Sequence, residues 1–428
     1  MSTFQYTRSF SLSNQNGERR CLSPQNGYDA RTINIVIFYV CDLAMISEKN
    51  AIRVQYFLYF GAMGVFLPYF NLYCLNIGFT GFQIGSLSAV RAAVLILFSI
   101  FWGTLADRKN LRRPIYILCS FASTALWALF LFTTDFRFML VLTIFYGAFY
   151  APIISFLEAF AMDVLGKTKH RYGRTRAWGS IAFIAVVLIS GKMIDRYTVG
   201  IVIALALAIS AAQAMTATGM PRIRSQRQAQ PHDAVRLFSG HTLVFLLCAF
   251  LMLVSHGAYY GFFSIHLAQL GHGGSFIGVC WAMASTAEVV VMINSPRLFA
   301  RFSFKRILAV SFAVAVLRWC LLYVAQSAMV ILASQLLHAI TYGAFHMAGI
   351  LYMDQLAPAS EKTLGQALNN AVTYGLGLTV GFFVSGALYD AGNTAPLFLF
   401  SAGVALAGGL LFAGFHWVAS DGKSETAA

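Results

Sequence analysis

The stretch "LEAFAMDVLGKTKHRYGRTRAWGSIAF" occupies residues 157–183. It leaves one apolar run, crosses a basic segment and enters a second apolar run. Glu158 lies inside the first run, and Arg176 stands where the second begins. The same alternation fills the chain. Its 428 residues are 58% hydrophobic and 11% charged, where a soluble domain carries about 25% charged residues. Mean hydropathy is +0.69. The windows 114–134, 197–220 and 395–420 contain no Asp, Glu, Lys or Arg. Each is long enough for a helix crossing the roughly 30 Å hydrocarbon core. Inside lipid the backbone must satisfy its own hydrogen bonds, so long apolar runs mean helices. The two-residue alternation of a membrane barrel is absent. The fold class is an all-α integral membrane protein.

Twelve spans are expected, near 51–77, 83–106, 114–134, 137–162, 176–195, 197–219, 241–268, 275–299, 307–326, 328–356, 364–389 and 395–418. The net charge of +14 is distributed as a topology signal and gives no footing for nucleic acid. Alternate loops collect eighteen Lys and Arg on one side, against Arg137, Lys192 and Arg196 on the other. The positive-inside rule then places the basic side and both termini in the cytoplasm of a cell whose inner (plasma) membrane holds the chain. None of the seven cysteines forms a C-x-x-C pair, and most fall within spans, which suits small buried hydrophobes.

The expected organisation is a polar, disordered extension or start-site artefact over 1–44, a six-helix bundle over 45–219, a basic cytoplasmic linker over 220–240, a second six-helix bundle over 241–418 and a cytoplasmic tail over 419–428. The run from Ile33 to Val40 is too short to span, and Met45 precedes the first long apolar segment.

The two halves carry a trace of repetition. "LADRKNLRR" (105–113) follows the second span and "LFARFSFKR" (298–306) the eighth, with Leu105 matching Leu298 and Arg108 matching Arg301. Two six-helix pseudo-repeats with a site between them suit an alternating-access transporter. "GTLADRKNLRRP" (103–114) resembles the G-x-L-A-D-R-x-G-R-R-x-P loop signature of the major facilitator superfamily, with departures at Asn110 and Leu111. The resemblance implies that Gly103, Asp107, Arg108, Arg112 and Arg113 form a cytoplasmic gate motif away from any solute.

Arg91, Glu158, Glu288 and Arg318 lie well inside spans. A charge at the bilayer centre costs about 2.5–3.5 kcal/mol even on the lower scales, so each should face a partner or a wet cavity. Intramembrane charge pairing is the expectation for Arg91. Glu158 and Arg176, on adjacent helices, can hold a polar solute by charge-assisted hydrogen bonds. Glu158-Ala159-Phe160 and Gly173-Arg174-Thr175-Arg176 resemble the acid-Ala-Phe and G-R-x-R segments of the lactose permease family of oligosaccharide/proton symporters. That resemblance implies that Glu158 and Arg176 grip the solute and that Phe183 supplies a stacking face where the family uses tryptophan, with lipid or core packing the competing reading of Phe183.

The C-terminal half extends the likeness. Glu288, Arg318 and the Leu337-His338 pair resemble the family's proton-coupling acid, arginine and histidine. The family's essential acid, three residues after the histidine, is replaced by Thr341, and helix seven carries "HGAYYGF" (256–262) in place of its aspartates. Glu288 becomes the first candidate for the proton, with Arg318 expected to stabilise its carboxylate and His338 next in line. His256, Tyr259 and Tyr260 share one helical face and are solute-binding candidates, with helix packing the competing reading. Gly377 and Gly381 form a G-x-x-x-G read as close packing. His266, His272 and His346 have no mutual metal-ligand spacing and read as surface or packing residues.

"YGRTRAWGSIAF" (172–183), "STAEVVV" (285–291), "LRW" (317–319) and "LLHAITYGAFHMA" (336–348) resemble the phenylpropionate-permease branch of the superfamily. The resemblance implies proton-coupled uptake of a 3-phenylpropionate-like aromatic acid. Glu158 instead suits the hydroxyls of a sugar or nucleoside, while Arg91, Arg176 and Arg318 suit an acid. A solute sensor that binds without turnover is the rival from another class. No Walker loop, nucleophile elbow or H-E-x-x-H motif is present, so no enzyme activity is expected. The expected partners are a small organic solute, protons and lipid, with no cofactor or metal and a monomeric state.

Overall fold

A computed structural model describes residues 30–222, 239–358, 361–389 and 393–424. It is helical throughout, and we number twelve long helices in chain order. They are α1 (Ala30–Asn76), α2 (Gly81–Lys109), α3 (Arg112–Phe132), α4 (Phe136–Leu165), α5 (Tyr172–Arg196) and α6 (Ile201–Ala217). The second half holds α7 (Gly240–Gln269), α8 (Gly274–Arg301), α9 (Phe304–Val324), α10 (Ala328–Leu356), α11 (Leu364–Leu388) and α12 (Ala395–Ser424). Eleven are long and apolar enough to cross a membrane, and α6 is a shorter apolar helix of 17 residues.

Local chemistry sets the ends. Thr80 and Gln83 form a reciprocal capping box at the start of α2. The Asp135 carboxylate accepts from the Arg137 and Phe138 amides at the start of α4, and Ser239 and Ser303 cap α7 and α9. Asn110 closes α2 in the left-handed region at φ 53°. It stands where the loop signature has glycine, and asparagine is one of the few side chains that accept that conformation.

The first and last helices run beyond the expected spans. α1 reaches back to Ala30, so residues 30–44 continue the first helix, while residues 1–29 lie outside the described residues. α12 continues through Ser424, beyond the expected start of the tail. Most of the 220–240 segment, residues 223–238, also lies outside the described residues.

Within the first six helices α1 packs on α5 and α6, α2 on α4, and α3 on α4 and α6. Within the second six α9 packs on α12, α7 on α11 and α12, and α8 on α10. The two sets meet where α2 faces α11, α5 faces α8 and α1 faces α7. The first two contacts exchange under a shift of six helices, as two parallel repeats require. Backbones come very close there: a Cβ on Gly274 would lie 2.7 Å from the Gly191 carbonyl, and one on Gly386 2.7 Å from Gly85 Cα. These approaches sit at the end of the molecule away from the basic loops. The same end is tied by Asn71, which donates to the Gly261 carbonyl at 2.9 Å, and by Tyr69, whose hydroxyl lies 3.0 and 3.1 Å from the Val187 and Gly274 carbonyls.

Three departures from regular helix mark the second half. α7 is interrupted at His256. A π-helical run spans Ala339–Ala344 in α10, and another spans Asn370–Gly377 in α11. Such bulges are frequent at functional sites. The G-x-x-x-G of α11 does pack closely, since a Cβ on Gly381 would lie 2.7 Å from the Val254 carbonyl of α7.

Candidate functional site

In the second half the interrupted α7 and the π-helical run of α10 gather one polar cluster from α7 to α10. Arg318 of α9 is fully buried. Its Nε donates to the Ser334 carbonyl at 3.1 Å, and its Nη2 to Gln335 Oε1 at 3.2 Å. Its Nη1 reaches His338 Nδ1 at 2.7 Å and Thr341 Oγ1 at 3.3 Å. A guanidinium carries donors only, so His338 Nδ1 must accept and the ring proton belongs on Nε2. That nitrogen lies 2.8 Å from Glu288 Oε1. The order is therefore Arg318, His338, Glu288. Arg318 was expected to stabilise the Glu288 carboxylate. Among the described residues no ion pair joins them, because the imidazole stands between. Thr341, in place of the family's acid, is an acceptor for Arg318.

His256, Tyr259 and Tyr260 do share a face, and their rings lie 6.0, 5.1 and 6.0 Å from the His338 ring. Their settings differ. Tyr259 is buried, donates to Gln335 Oε1 at 3.0 Å and lies beneath the Arg318 guanidinium, 4.2 Å from ring centre to Cζ. His256 is buried, with Nδ1 2.8 Å from the Met252 carbonyl and its ring edge-on to Trp319. Nδ1 must donate to that carbonyl, which leaves Nε2 as a buried acceptor with no hydrogen-bond partner among the described residues. Tyr260 is half-buried, with its hydroxyl 3.4 Å from His338 Nε2. Tyr259 and His256 thus support the cluster from behind, and Tyr260 is the member with an accessible edge.

His346, expected at the surface or in packing, adjoins the same cluster. Tyr342 lies stacked between His338 and His346, at 5.3 and 6.0 Å, and His346 Nδ1 bonds the Tyr374 hydroxyl of α11. Spacing along α10 could have signalled this, since residues 338, 342 and 346 fall one above another at i, i+4 and i+8.

In the first half Glu158 is exposed and Arg176 half-buried. Among the described residues neither forms an ion pair. Arg176 instead stacks over Phe60 of α1, with Cζ 3.8 Å from the ring centre, and lies 5.7 Å from that of Tyr56. Gly179, one turn further on, permits this: a Cβ there would stand 2.5 Å from Phe60 Cδ2 and 3.0 Å from Arg176 Nη1. Tyr172 is within interacting reach of Glu158 and Tyr56. Phe183, expected to present a stacking face, is buried in the core, with its backbone against the Gly64 position of α1. Phe60 occupies the aromatic place beside the arginine. Sequence spacing missed it because it comes from a helix far away in the chain.

Arg91, expected to pair with an acid, has no ion pair among the described residues, and its guanidinium lies 4.7 Å over Phe66. At the basic end, Arg112 bridges Asp107 at 3.2 Å and Asp163 of α4 at 2.8 Å. Arg113 holds the end of α6 through the Thr218 and Met220 carbonyls. Arg108 is exposed, and a Cβ on Gly103 would meet nothing within 4 Å. These contacts stay within the first six helices, so the motif braces one half. The buried free cysteines are Cys74, Cys119, Cys248 and Cys280, whereas Cys320 is exposed on α9.

Twelve helices in two sixes, an exposed carboxylate on one side and a buried arginine–histidine–glutamate chain on the other define a secondary transporter of the major facilitator kind. The chain belongs to the MFS_1 like family, whose model matches residues 50–400. It is 27% identical over 357 residues to the probable 3-phenylpropionic acid transporter of Escherichia coli (strain K12), covering 81% of this chain and 92% of that protein. It is 27% identical over 364 residues to the maltose permease of Geobacillus stearothermophilus, covering 83% and 91%. The crystal structure of the nucleoside transporter NupG superposes with a TM-score of 0.78 at 17% identity, over 86% of this chain and 98% of that one. These relatives are transporters, not enzymes.

Proposed function

We propose that the chain is a proton-coupled symporter that carries a small organic solute into the cell, with its basic loops and both termini in the cytoplasm. The observation that carries this reading is the chain from Arg318 through His338 to Glu288. Glu288 keeps 20% of its side-chain surface accessible, while Arg318 is sealed. A proton arriving on Glu288 removes the negative charge that strengthens its hydrogen bond from His338 Nε2, and its departure restores the charge-assisted bond. Two hydrogen-bonding states of one carboxyl supply an element that proton and solute can both bias. Arg176, held flat on Phe60, and the exposed Glu158 form the opposite wall.

The solute reading that best combines the relatives with the Arg176 guanidinium stacked on Phe60 is an aromatic acid such as 3-phenylpropionate. Glu158, which forms no ion pair among the described residues, favours a second reading, a hydroxylated solute such as a sugar or nucleoside, in keeping with the maltose permease relative. Both are tested by uptake into proteoliposomes under an imposed pH gradient, with counterflow measured without one. Gradient-driven accumulation of either class supports symport. Binding without counterflow would make the protein a sensor, and counterflow without gradient response would remove the proton.

A further inference from the structure

His338 and His346 stand on one helix with opposite partners. His338 Nδ1 faces Arg318, a group with donors only, so that nitrogen must accept and the ring is held neutral. His346 Nδ1 faces the Tyr374 hydroxyl. A phenol hydroxyl accepts as well as donates. Nδ1–H of His346 can therefore donate to Tyr374 whether the ring is neutral or charged, which leaves Nε2 to take up or release a proton. His338 is buried and His346 half-buried.

The local backbone brings this second imidazole to Glu288. Tyr342 and Tyr374 come from the two π-helical runs, and their rings meet edge-on at 6.1 Å. Gly343, in the first run, lies against Glu288: a Cβ there would stand 3.5 Å from Glu288 Cα and 3.6 Å from its Cγ. His346 follows three residues later, on the same face and one turn nearer the basic end. Glu288 and His346 are within electrostatic reach of each other. The Tyr342 ring separates His346 from His338, so the carboxyl is the link between the two imidazoles. Among the described residues, the titratable groups that face His346 are Tyr374 of α11, Glu288 of α8 and Tyr342 of its own helix. Tyr260 of α7, Arg318 of α9 and Arg176 of α5 act on Glu288 instead.

Building on proton-coupled symport, we propose that His346 takes the proton from Glu288 and passes it toward the basic loops. Once Glu288 is protonated its O–H is a donor, and the Nε2–H of His338 cannot accept it. His346 Nε2 can. The carboxyl O–H bond breaks, the Nε2–H bond forms, and the pair becomes carboxylate and imidazolium. Glu288 then regains its charge-assisted bond from His338. The imidazolium lies eight residues, about 12 Å, beyond His338 along α10. It gives the Nε2 proton to water on the side of the basic loops, while Nδ1 keeps its bond to Tyr374.

The test begins with the purified full chain, labelled with ¹⁵N at histidine and titrated by NMR from about pH 8 to about pH 5, the range in which an imidazole charges. The signal lost in His346→Gln should gain a second ring proton, and the signal lost in His338→Gln should not. In Glu288→Gln the His346 signal should need more acid solution, by about half a pH unit or more, because the imidazolium has lost a neighbouring carboxylate. A His346 that stays neutral, or titrates identically in Glu288→Gln, overturns the proposal. Should His346→Gln fail to fold, the signal displaced by Tyr374→Phe identifies His346 and the same titration decides. Transport is then followed in proteoliposomes with 3-phenylpropionate and with maltose. The ratio of gradient-driven accumulation to counterflow should fall about tenfold or more in His346→Gln, as loss of a positioned proton acceptor requires. A wild type that accumulates a probe, with the same ratio in the variant, overturns the role of His346 and leaves symport standing. A wild type that accumulates neither probe removes symport and the role of His346 together.

Discussion

His338 holds Glu288 by Nε2 at 2.8 Å while accepting from Arg318 at Nδ1. Both ring nitrogens are therefore committed, and a second ring proton would point at the guanidinium. The carboxyl of Glu288 is the member of the chain left to gain or lose a proton.

Glu288→Gln should keep solute counterflow and lose accumulation driven by a pH gradient. The amide copies the shape of the protonated acid and cannot release a proton. Paired measurements in proteoliposomes separate the two activities. Accumulation that survives the change would move the proton site, with His338 and then His346 to be tested.

Arg318→Ala should destabilise the protein as well as uncouple it. It strips one donor each from the Ser334 carbonyl and Gln335 Oε1 and leaves His338 Nδ1 without the Arg318 donor in a sealed site. Removing one partner from a buried charged network costs roughly 3–5 kcal/mol. A melting curve in detergent should shift down clearly, and Arg318→Lys should recover only part of it, since one ammonium cannot span three directions. An unchanged melting temperature would contradict this buried geometry.

The spans were legible because hydropathy and charge act over twenty residues at a time. The convergence of Glu288, Arg318 and His338 was legible too, through three residues rare enough within spans to stand out. Their order was not. Whether arginine meets the acid or the histidine depends on how three helices rotate about their axes, and the π-helical run over Ala339–Ala344 changes that rotation locally. For the same reason Phe183 read as a stacking face although it is buried, and Phe60, on a distant helix, went unread. Arg91 read as one half of an ion pair because the expense of an intramembrane charge is visible in sequence, whereas its lack of an ion pair among the described residues is a fact of packing.

Gly179→Ala should weaken solute binding without touching any solute-binding group. The added methyl would have to displace Phe60 or Arg176. Arg176→Lys should weaken binding more, because the ammonium loses both the fork and the flat stacking on Phe60. Phe60→Leu should cost roughly 0.5–2 kcal/mol of whatever the stacked guanidinium contributes. Equilibrium binding of the transported solute gives the ranking. Wild-type affinity in all three variants would make this wall structural.

Asp195 is the last prediction. Its carboxylate, near the end of α5, accepts from the backbone amides of Gly274 at 2.5 Å and Ser275 at 2.9 Å, at the first turn of α8. An anion at a helix N-terminus answers both free amides and the positive end of the dipole. Here it also fastens one half of the molecule to the other, beside the Gly191–Gly274 contact. Opening this end, which alternating access demands, has to break both bonds. Asp195→Ala should therefore raise the population open at this end. The carboxylate is exposed, so the loss is discounted to about 1 kcal/mol, roughly a fivefold change in the equilibrium. Hydrogen exchange should quicken in the last turn of α5 and the first turn of α8, with the basic end unaffected. Asp195→Asn should lie between the two, because its carbonyl oxygen can accept one of the bonds without the charge. If exchange at both turns is the same in wild type and alanine variant, the carboxylate is an ordinary cap and the closed end is held by the glycine contacts and the Asn71 and Tyr69 bonds.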